Sequence, residues 1–134
     1  MQFLFSSERS VTVAEFSDLM GAAGWGTQYD EASFHRSYNA YPLVIHARDT
    51  GGLLVGYVSA FSDGVFSTML GELVVRPSHK GLGIGRALMQ RVEQEFPGTP
   101  VYIKALGEAK HFFEACGYRK PRGEMTVLFK KNFS

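Results

Sequence analysis

The feature that most constrains this chain is a glycine-rich turn between an apolar strand and an amphipathic helix. The segment reads Gly71-Glu72-Leu73-Val74-Val75-Arg76-Pro77-Ser78-His79-Lys80-Gly81-Leu82-Gly83-Ile84-Gly85-Arg86-Ala87-Leu88. Pro77 ends the strand, and the alternating glycines that follow let the backbone approach a ligand closely. The amides of a helix's first turn have no partners within the helix, and they favour negative charge. The segment therefore predicts a phosphate or pyrophosphate site.

The remaining patterns predict a mixed α+β domain around one central sheet. Short apolar runs separated by turn residues predict strands, whereas apolar residues three and four positions apart predict helices. In chain order the predicted elements are a strand at 3–5, helices at 13–23 and 30–39, strands at 41–48, 53–61 and 65–75, a helix at 83–96, a strand at 101–105, a helix at 108–116 and a strand at 125–131. The three consecutive strands predict an antiparallel meander, and the strand after the long helix predicts a parallel, right-handed crossover. We expect one domain spanning residues 1–134.

Composition excludes several classes of protein. The 134 residues are 45% hydrophobic and 20% charged, as is ordinary for a globular domain, and the net charge of +1 gives no argument for nucleic acid or an anionic membrane surface. No apolar run approaches the roughly 18 residues that span a bilayer. A single cysteine, Cys116, and histidines without ligand spacing predict neither a disulfide nor a metal site. The first residues lack the pattern of a secretory signal, so we expect a cytoplasmic protein.

Two common phosphate-binding motifs do not match the turn. The nucleotide P-loop pattern G-x-x-x-x-G-K-[ST] does not occur in the chain. The dinucleotide fingerprint G-x-G-x-x-G would need its third glycine one residue after Gly85. It also follows a strand directly, whereas five residues separate Val75 from Gly81. A dinucleotide-binding protein therefore stays an alternative that the spacing disfavours.

A third motif fits. The segment from Lys80 to Gly85 resembles the Q/R-x-x-G-x-G/A signature of the GCN5-related N-acetyltransferases, the GNAT family. The preceding L-x-V-x-P at 73–77 and the G-R-A-L-M at 85–89 match the family context, and Ala109–Tyr118 resembles its A-x-x-F-Y-E-K-x-G-F segment. The resemblance covers roughly residues 41–130. It implies a mostly antiparallel central sheet with helices on both faces, and direct transfer of an acetyl group from acetyl-CoA to a primary amine.

The resemblance also implies a cofactor site. In the family the turn amides hold the pyrophosphate of coenzyme A, and the preceding strand, which is bulged and splays from its neighbour, aligns the pantetheine and faces the thioester oxygen. The implied cofactor residues are Leu73, Val74, Val75, Lys80, Gly81, Leu82, Gly83, Ile84, Gly85, Arg86, Ala87, Phe112 and Phe113. Lys80 replaces the usual arginine or glutamine, which keeps the charge but loses the guanidinium fork. We expect binding to be retained.

The amine must lose a proton before it attacks, because a primary amine with a pKa of about 10 is mostly protonated at neutral pH. Glu72, on the strand beside the thioester site, is the first candidate for the base, and His111 is the second. An equally weighted alternative is that Glu72 faces solvent or pairs with a neighbouring strand.

The expected proton donor to the leaving thiolate is missing. The family often uses a tyrosine at the position of Phe113. Tyr118 or Tyr102 is a candidate substitute, and the thiolate can also leave unassisted because a thiol pKa is only about 8.5. Cys116 is interpreted as a packing residue and not as a nucleophile.

The acceptor site is predicted from aromatic residues near the first two helices. Trp25 and Tyr29 are the candidate substrate-binding residues, and Phe34 and Tyr38 extend this wall or belong to the core. The region has no acidic cluster or groove for a polyamine or basic peptide, which favours a small-molecule amine. The alternative to an enzyme is an acyl-CoA-binding sensor with little turnover, supported by Phe113 alone. A homodimer through a sheet edge or the last strand is also possible for this fold.

Overall fold

The computed structural model describes residues 2–132, which divide into two compact units, one ending at Lys104 and the other beginning at Ala105. The second unit contains one helix, α4 (Ala109–Ala115), among its described residues. The first unit contains β1 (Phe3–Ser6), α1 (Val13–Ala22), α2 (Glu31–Ala40), β2 (Leu43–Asp49), β3 (Leu54–Ser62), β4 (Thr68–Val75), a 3-10 helix (Pro77–His79), α3 (Ile84–Glu95) and β5 (Val101–Tyr102).

The five strands form one sheet in the order β1-β2-β3-β4-β5. The first three pairings are antiparallel, and β4 pairs with β5 in parallel. The predicted meander and the predicted parallel crossover through α3 are therefore both confirmed, as is the α+β class. Within residues 2–132, no helix combines the length and the apolar character that crossing a bilayer requires.

Helices cover both faces of the sheet. On one face, α1 and α2 pack onto the strands in an aromatic and aliphatic cluster whose buried members include Leu19, Met20, Phe34, Tyr38, Val44, Leu54, Tyr57 and Val74. Gly56 precedes Tyr57 on β3 and so faces the opposite side. A Cβ at Gly56 would lie 2.8 Å from Ile84 Cγ2 and 3.1 Å from a Leu88 methyl, so this glycine gives α3 the room to pack closely.

Local capping chemistry fixes where the first two helices begin. Thr12 Oγ1 accepts from the Glu15 amide at 3.1 Å, and Glu15 Oε1 accepts from the Thr12 amide at 3.1 Å, which is the predicted capping box. Asp30 caps α2 by accepting from the Ser33 amide at 2.9 Å. These short-range bonds explain why both helix starts agree with the sequence pattern.

Glu15 also anchors α1 to the sheet, and this pair makes stability pH-dependent. Arg48 on β2 forms a two-pronged ion pair with Glu15, with Nη2 to Oε1 at 3.1 Å. The hydrogen bond from Arg48 holds the pKa of Glu15 below its ordinary value of 4.5. The carboxylate therefore contributes stability above that value, and the contribution is lost as the pH falls through the lower folded pKa.

We expect Glu15→Gln to lower the free energy of unfolding by about 1–2 kcal/mol at pH 7, since a partly exposed charged hydrogen bond and half of a capping box are lost. Urea denaturation at pH 7 and again at about pH 3.5 measures the difference between variant and wild type. The difference should shrink at the lower pH. A difference that stays constant would show that the charge of Glu15 is not its cause.

Three strand predictions are wrong in part or in full, and one of them is the strand at 101–105, of which only Val101–Tyr102 forms. The predicted strand at 65–75 begins only at Thr68, because the Asp63 carboxylate accepts from the Val65, Phe66 and Ser67 amides and holds them in a turn. The predicted strand at 125–131 does not form, and Val127, Leu128 and Phe129 are exposed. Because these three apolar residues are consecutive, they do not give the segment one apolar face and one polar face. A segment with high strand propensity forms a strand only where a neighbouring strand pairs with it.

Candidate active site

A β-bulge lies in the middle of β4. Val58 on β3 is opposite Leu73, whereas Ala60 is opposite Leu70, so Gly71 and Glu72 together stand against Ser59 alone. An extra residue bends its strand and re-aims the side chains beside it. The bulge predicted for the family is thus present.

Beyond the bulge, β4 has one free edge. The Arg76 amide donates to the Val55 carbonyl at 2.8 Å. Because hydrogen-bonding direction alternates along an antiparallel strand, Val74 also faces β3, whereas Leu73 and Val75 turn their N–H and C=O groups the other way. On that other side β5 pairs only with Thr68 and Met69. In the described part of the chain, β4 thus splays from β5. The backbone N–H and C=O groups of Val74, a predicted cofactor residue, face β3 and not the free edge.

The glycine turn leads from the end of β4 into α3. Gly81 and Gly83 have φ values of +79° and +85°, which side-chain-bearing residues rarely adopt. A Cβ at either position would meet no atom within 4 Å, so the turn is open on its outer side. Gly83 is the N-cap and supplies no capping side chain. The first bond within the helix joins the Ala87 amide to the Gly83 carbonyl at 3.0 Å, so the amides from Ile84 to Arg86 precede the hydrogen-bonded ladder.

These backbone features fit the groups of coenzyme A. The first-turn amides and the open glycines suit a pyrophosphate. The free edge at Leu73 and Val75 suits an extended chain with amide groups, which would add to the sheet as a strand does. Lys80, Leu82 and Arg86 are exposed around the turn.

On the α1/α2 face of the sheet, Glu72 opens onto a cleft of about 320 Å³. Its lining is largely aromatic: Phe16, Gln28, Tyr29, Asp30, Ser33, Phe34, Ser37, Tyr38, Tyr57 and Glu72. The rings pack on one another, with Phe16 against Tyr29, Phe34 and Tyr57 at centroid distances of 5.2, 4.9 and 5.5 Å. Packed rings of this kind make firm walls for a small ligand.

The C-terminal end of α2, which borders the cleft, is held by a side chain that is not part of the cleft lining. The Arg9 guanidinium donates to the carbonyl oxygens of Tyr38 and, at 2.6 Å, Tyr41. A cation at a helix C-terminus satisfies carbonyls that lack intrahelical partners. Arg9 thereby fixes the wall that α2 presents to the cleft.

Two carboxylates and several phenols give the cleft its electrostatic character. The Ser33 amide lowers the pKa of Asp30, which therefore stays ionised at neutral pH. Burial raises the pKa of Tyr38 and of Tyr57, and the nearby Glu72 carboxylate raises that of Tyr57 further, so both phenols remain neutral. The cleft thus combines negative charge with aromatic faces, a pairing that attracts cations.

Glu72 has partners as well as access to the cleft. The Ser59 hydroxyl accepts from the Glu72 amide at 2.9 Å and donates to Glu72 Oε2. Glu72 thus makes the contact with a neighbouring strand that the alternative interpretation predicts, and it also borders the cleft, while its role as the base stays a prediction. Ser59 belongs to no sequence motif, because its pairing with Glu72 depends on the bulge.

The predicted substrate residues separate in the structure. Tyr29 lines the cleft, and its hydroxyl donates to the Trp25 carbonyl at 3.3 Å. The Trp25 side chain is exposed and is not part of the lining. Phe34 and Tyr38 are buried in the core cluster and also line the cleft, so both interpretations of them hold.

Most of the remaining candidates belong to the second unit. Phe113 is buried there, and Tyr118 packs edge-on against it at 6.1 Å, while Phe112 is more exposed. His111 is exposed between Glu108 at 2.8 Å and Glu114 at 3.6 Å. Tyr102 is on β5 opposite Met69. The roles predicted for these residues stay predictions.

Comparison with known proteins agrees with this geometry. Residues 39–120 match the family model described as an acetyltransferase (GNAT) domain. The chain belongs to the GNAT family. The match covers the meander, the glycine turn, α3, β5 and α4.

Individual relatives support the same assignment. The chloroplastic GCN5-related N-acetyltransferase 3 of Arabidopsis thaliana is 30% identical over 135 residues, covering 96% of this chain and 53% of that protein. The chloroplastic serotonin N-acetyltransferase 2 of Oryza sativa subsp. japonica is 40% identical over 60 residues, or 45% of this chain and 30% of that protein. This GNAT chain thus spans about half the length, or less, of these two relatives.

A solved structure shares the GNAT fold. A Staphylococcus aureus protein described as a probable acetyltransferase superposes with a TM-score of 0.81 at 14% identity, covering 98% of this chain and 100% of that one. At this level of identity the likeness concerns the fold alone. It agrees with the predicted mixed sheet with helices on both faces.

Proposed function

We propose that this GNAT domain transfers the acetyl group of acetyl-CoA directly to the primary amine of a small molecule. The observation that carries the proposal is the position of Glu72, which borders both the aromatic cleft and the free edge of β4. A nucleophile in the cleft and a thioester along the edge would meet beside this carboxylate.

In this mechanism each residue has a role that follows from its position in the site. Glu72 accepts a proton from the ammonium and leaves the nitrogen lone pair free to attack. The new N–C bond forms as the C–S bond breaks, and the sulfur leaves with the bonding electron pair. A backbone amide on the free edge of β4, at Leu73 or Val75, faces the oxygen on which negative charge develops. Tyr118 and Tyr102 stay candidates for protonating the leaving thiolate, which can also depart unassisted as an anion.

The cleft supports a small acceptor. Its volume of about 320 Å³ suits a molecule with one ring or two, and its walls offer aromatic faces with Asp30 and Glu72 as the negative groups. The serotonin N-acetyltransferase relative is named for an aromatic amine. We infer that a compact, ring-bearing primary amine fits better than a polyamine or a peptide. A cytoplasmic location and a homodimer remain predictions.

A panel assay tests the proposal. Release of free coenzyme A thiol is followed with acetyl-CoA and 2-phenylethylamine, tryptamine, spermidine, or a lysine-containing peptide. We expect turnover with the first two amines and little with the last two. Tight coenzyme A binding without thiol release for any amine would favour an acyl-CoA sensor, and preferential binding of NAD would overturn the cofactor assignment.

A further inference from the structure

Ser59 is a fully buried hydroxyl in the middle of β3, at the point where the bulge of β4 lies against it. Serine is unusual in such a place, because a buried hydroxyl must find partners for both its proton and its lone pairs. Glu72 supplies two of these partners, and the Tyr41 phenol is a further hydrogen-bonding neighbour of both Ser59 and Glu72. Ser59 Oγ accepts from the Glu72 amide at 2.9 Å and donates to Glu72 Oε2.

The two bonds fix the direction of the hydroxyl proton. A serine hydroxyl has one proton to give. Since its oxygen already accepts the amide of Glu72, that proton points to the carboxylate of the same residue. The backbone and the side chain of Glu72 are thus tied to a single atom on the neighbouring strand.

Gly71 makes room for this arrangement. A Cβ at Gly71 would lie 2.5 Å from Ser59 Oγ and 2.6 Å from the Tyr41 hydroxyl. The Tyr41 phenol therefore closes the space beside Ser59, and its ring is packed on Phe61 at 4.2 Å. Beside this group of residues, Glu72 borders the cleft.

We propose that Ser59 is a positioning residue for the base: its hydroxyl holds the Glu72 side chain in one rotamer and turns the carboxylate toward the amine in the cleft. This rests on the proposed transferase function and deepens it. A fixed rotamer keeps the base within reach of the proton it accepts.

The neighbours of Glu72 do not change charge in the range of an ordinary assay. The titratable groups facing it are Tyr41 before β2, Tyr57 on β3, and Tyr38 and Asp30 across the cleft. Burial raises the pKa of all three tyrosines, while the Ser33 amide lowers that of Asp30. These neighbours therefore keep their charge during the assay, and a loss of rate on altering Ser59 is assigned to the position of the Glu72 side chain.

The test is kcat/KM for Ser59→Ala, measured over a range of pH with acetyl-CoA and an amine that the wild type acetylates. We expect a loss of about 10-fold to 100-fold at pH 7, seen in kcat more than in the KM for the amine. The KM for acetyl-CoA should change little. Ser62→Ala is the matched control, because Ser62 is on the same strand but bonds to the turn at Gly64 and Ser67, and it should keep the wild-type profile.

A double-mutant cycle separates positioning from a general structural effect. If Ser59 acts through Glu72, Ser59→Ala should cost almost nothing in a Glu72→Gln background. Ser59→Cys, which keeps a weak donor and acceptor, should give an intermediate rate and serves if the alanine variant does not fold. A wild-type kcat/KM in Ser59→Ala and Ser59→Cys, or equal losses in both backgrounds, would overturn the proposal.

The two levels of proposal fail differently. If wild type releases no thiol with any amine, the transferase function and the role of Ser59 both fall. If wild type turns over and Glu72→Gln is slow, yet Ser59→Ala behaves as wild type, only the role of Ser59 is refuted.

Discussion

Glu72→Gln should lower kcat/KM by about 100-fold to 1,000-fold at pH 7, the range that general-base catalysis typically contributes. Glutamine has nearly the same shape, and its amide oxygen can still accept from the Ser59 hydroxyl, so the strand geometry survives. It cannot take a proton from an ammonium group. The measurement is thiol release under kcat/KM conditions, with the dissociation constant for coenzyme A expected to stay within about twofold.

The shape of the pH profile distinguishes lost base chemistry from lost structure. Without Glu72, attack needs amine that is already neutral, so log kcat/KM should rise with pH up to the pKa of the amine itself. The matched control is Glu31→Gln, which removes an exposed carboxylate on α2 that pairs only loosely with His35 at 3.7 Å. Glu31→Gln should keep the wild-type profile. A Glu72→Gln enzyme with unchanged kcat/KM would show that water or another group takes the proton.

The parts of this fold that sequence predicts are those that depend on neighbouring residues. The capping box at Thr12 and Glu15 involves residues three apart, and the glycine turn encodes its own positive φ values at Gly81 and Gly83. Both therefore appear as predicted. The bulge, in contrast, is a mismatch of register between two strands, and its location at Gly71 and Glu72 depends on what β3 places opposite.

The residues that complete the site are distant in sequence, which is why they were not predicted. Ser59 is 13 positions from Glu72 and has no motif of its own. The sequence places Tyr57 only within a strand, and the alternation of β3 turns it toward the cleft. Trp25 is exposed and lies outside the lining, whereas Tyr29 is part of it, so the substrate role of Trp25 stays a prediction.

The free edge of β4 has a similar explanation. The sequence pattern predicts a strand at 101–105, but only Val101 and Tyr102 pair, which leaves the edge open at Leu73 and Val75. The length over which two strands pair depends on how far they diverge in space, and the strand propensity of a short segment does not determine that divergence. The strand predicted at 125–131 is absent for the same reason: its apolar composition favours a strand, but no neighbouring strand pairs with it in the described residues.

Gly83→Val should weaken coenzyme A binding by about 100-fold, which corresponds to the loss of one or two hydrogen bonds to a charged group. Gly83 has a φ of +85°, and valine is strongly disfavoured there, so the backbone must rotate and redirect the Ile84 amide away from the pyrophosphate. The control is Gly98→Val, since Gly98 has a φ of +83° and an equally open Cβ position but lies beyond the far end of α3. Strain of about 1–2 kcal/mol should appear in the unfolding free energy of both variants. Only Gly83→Val should lose binding in calorimetric titration with coenzyme A, and equal affinities in the two variants would place the pyrophosphate away from this turn.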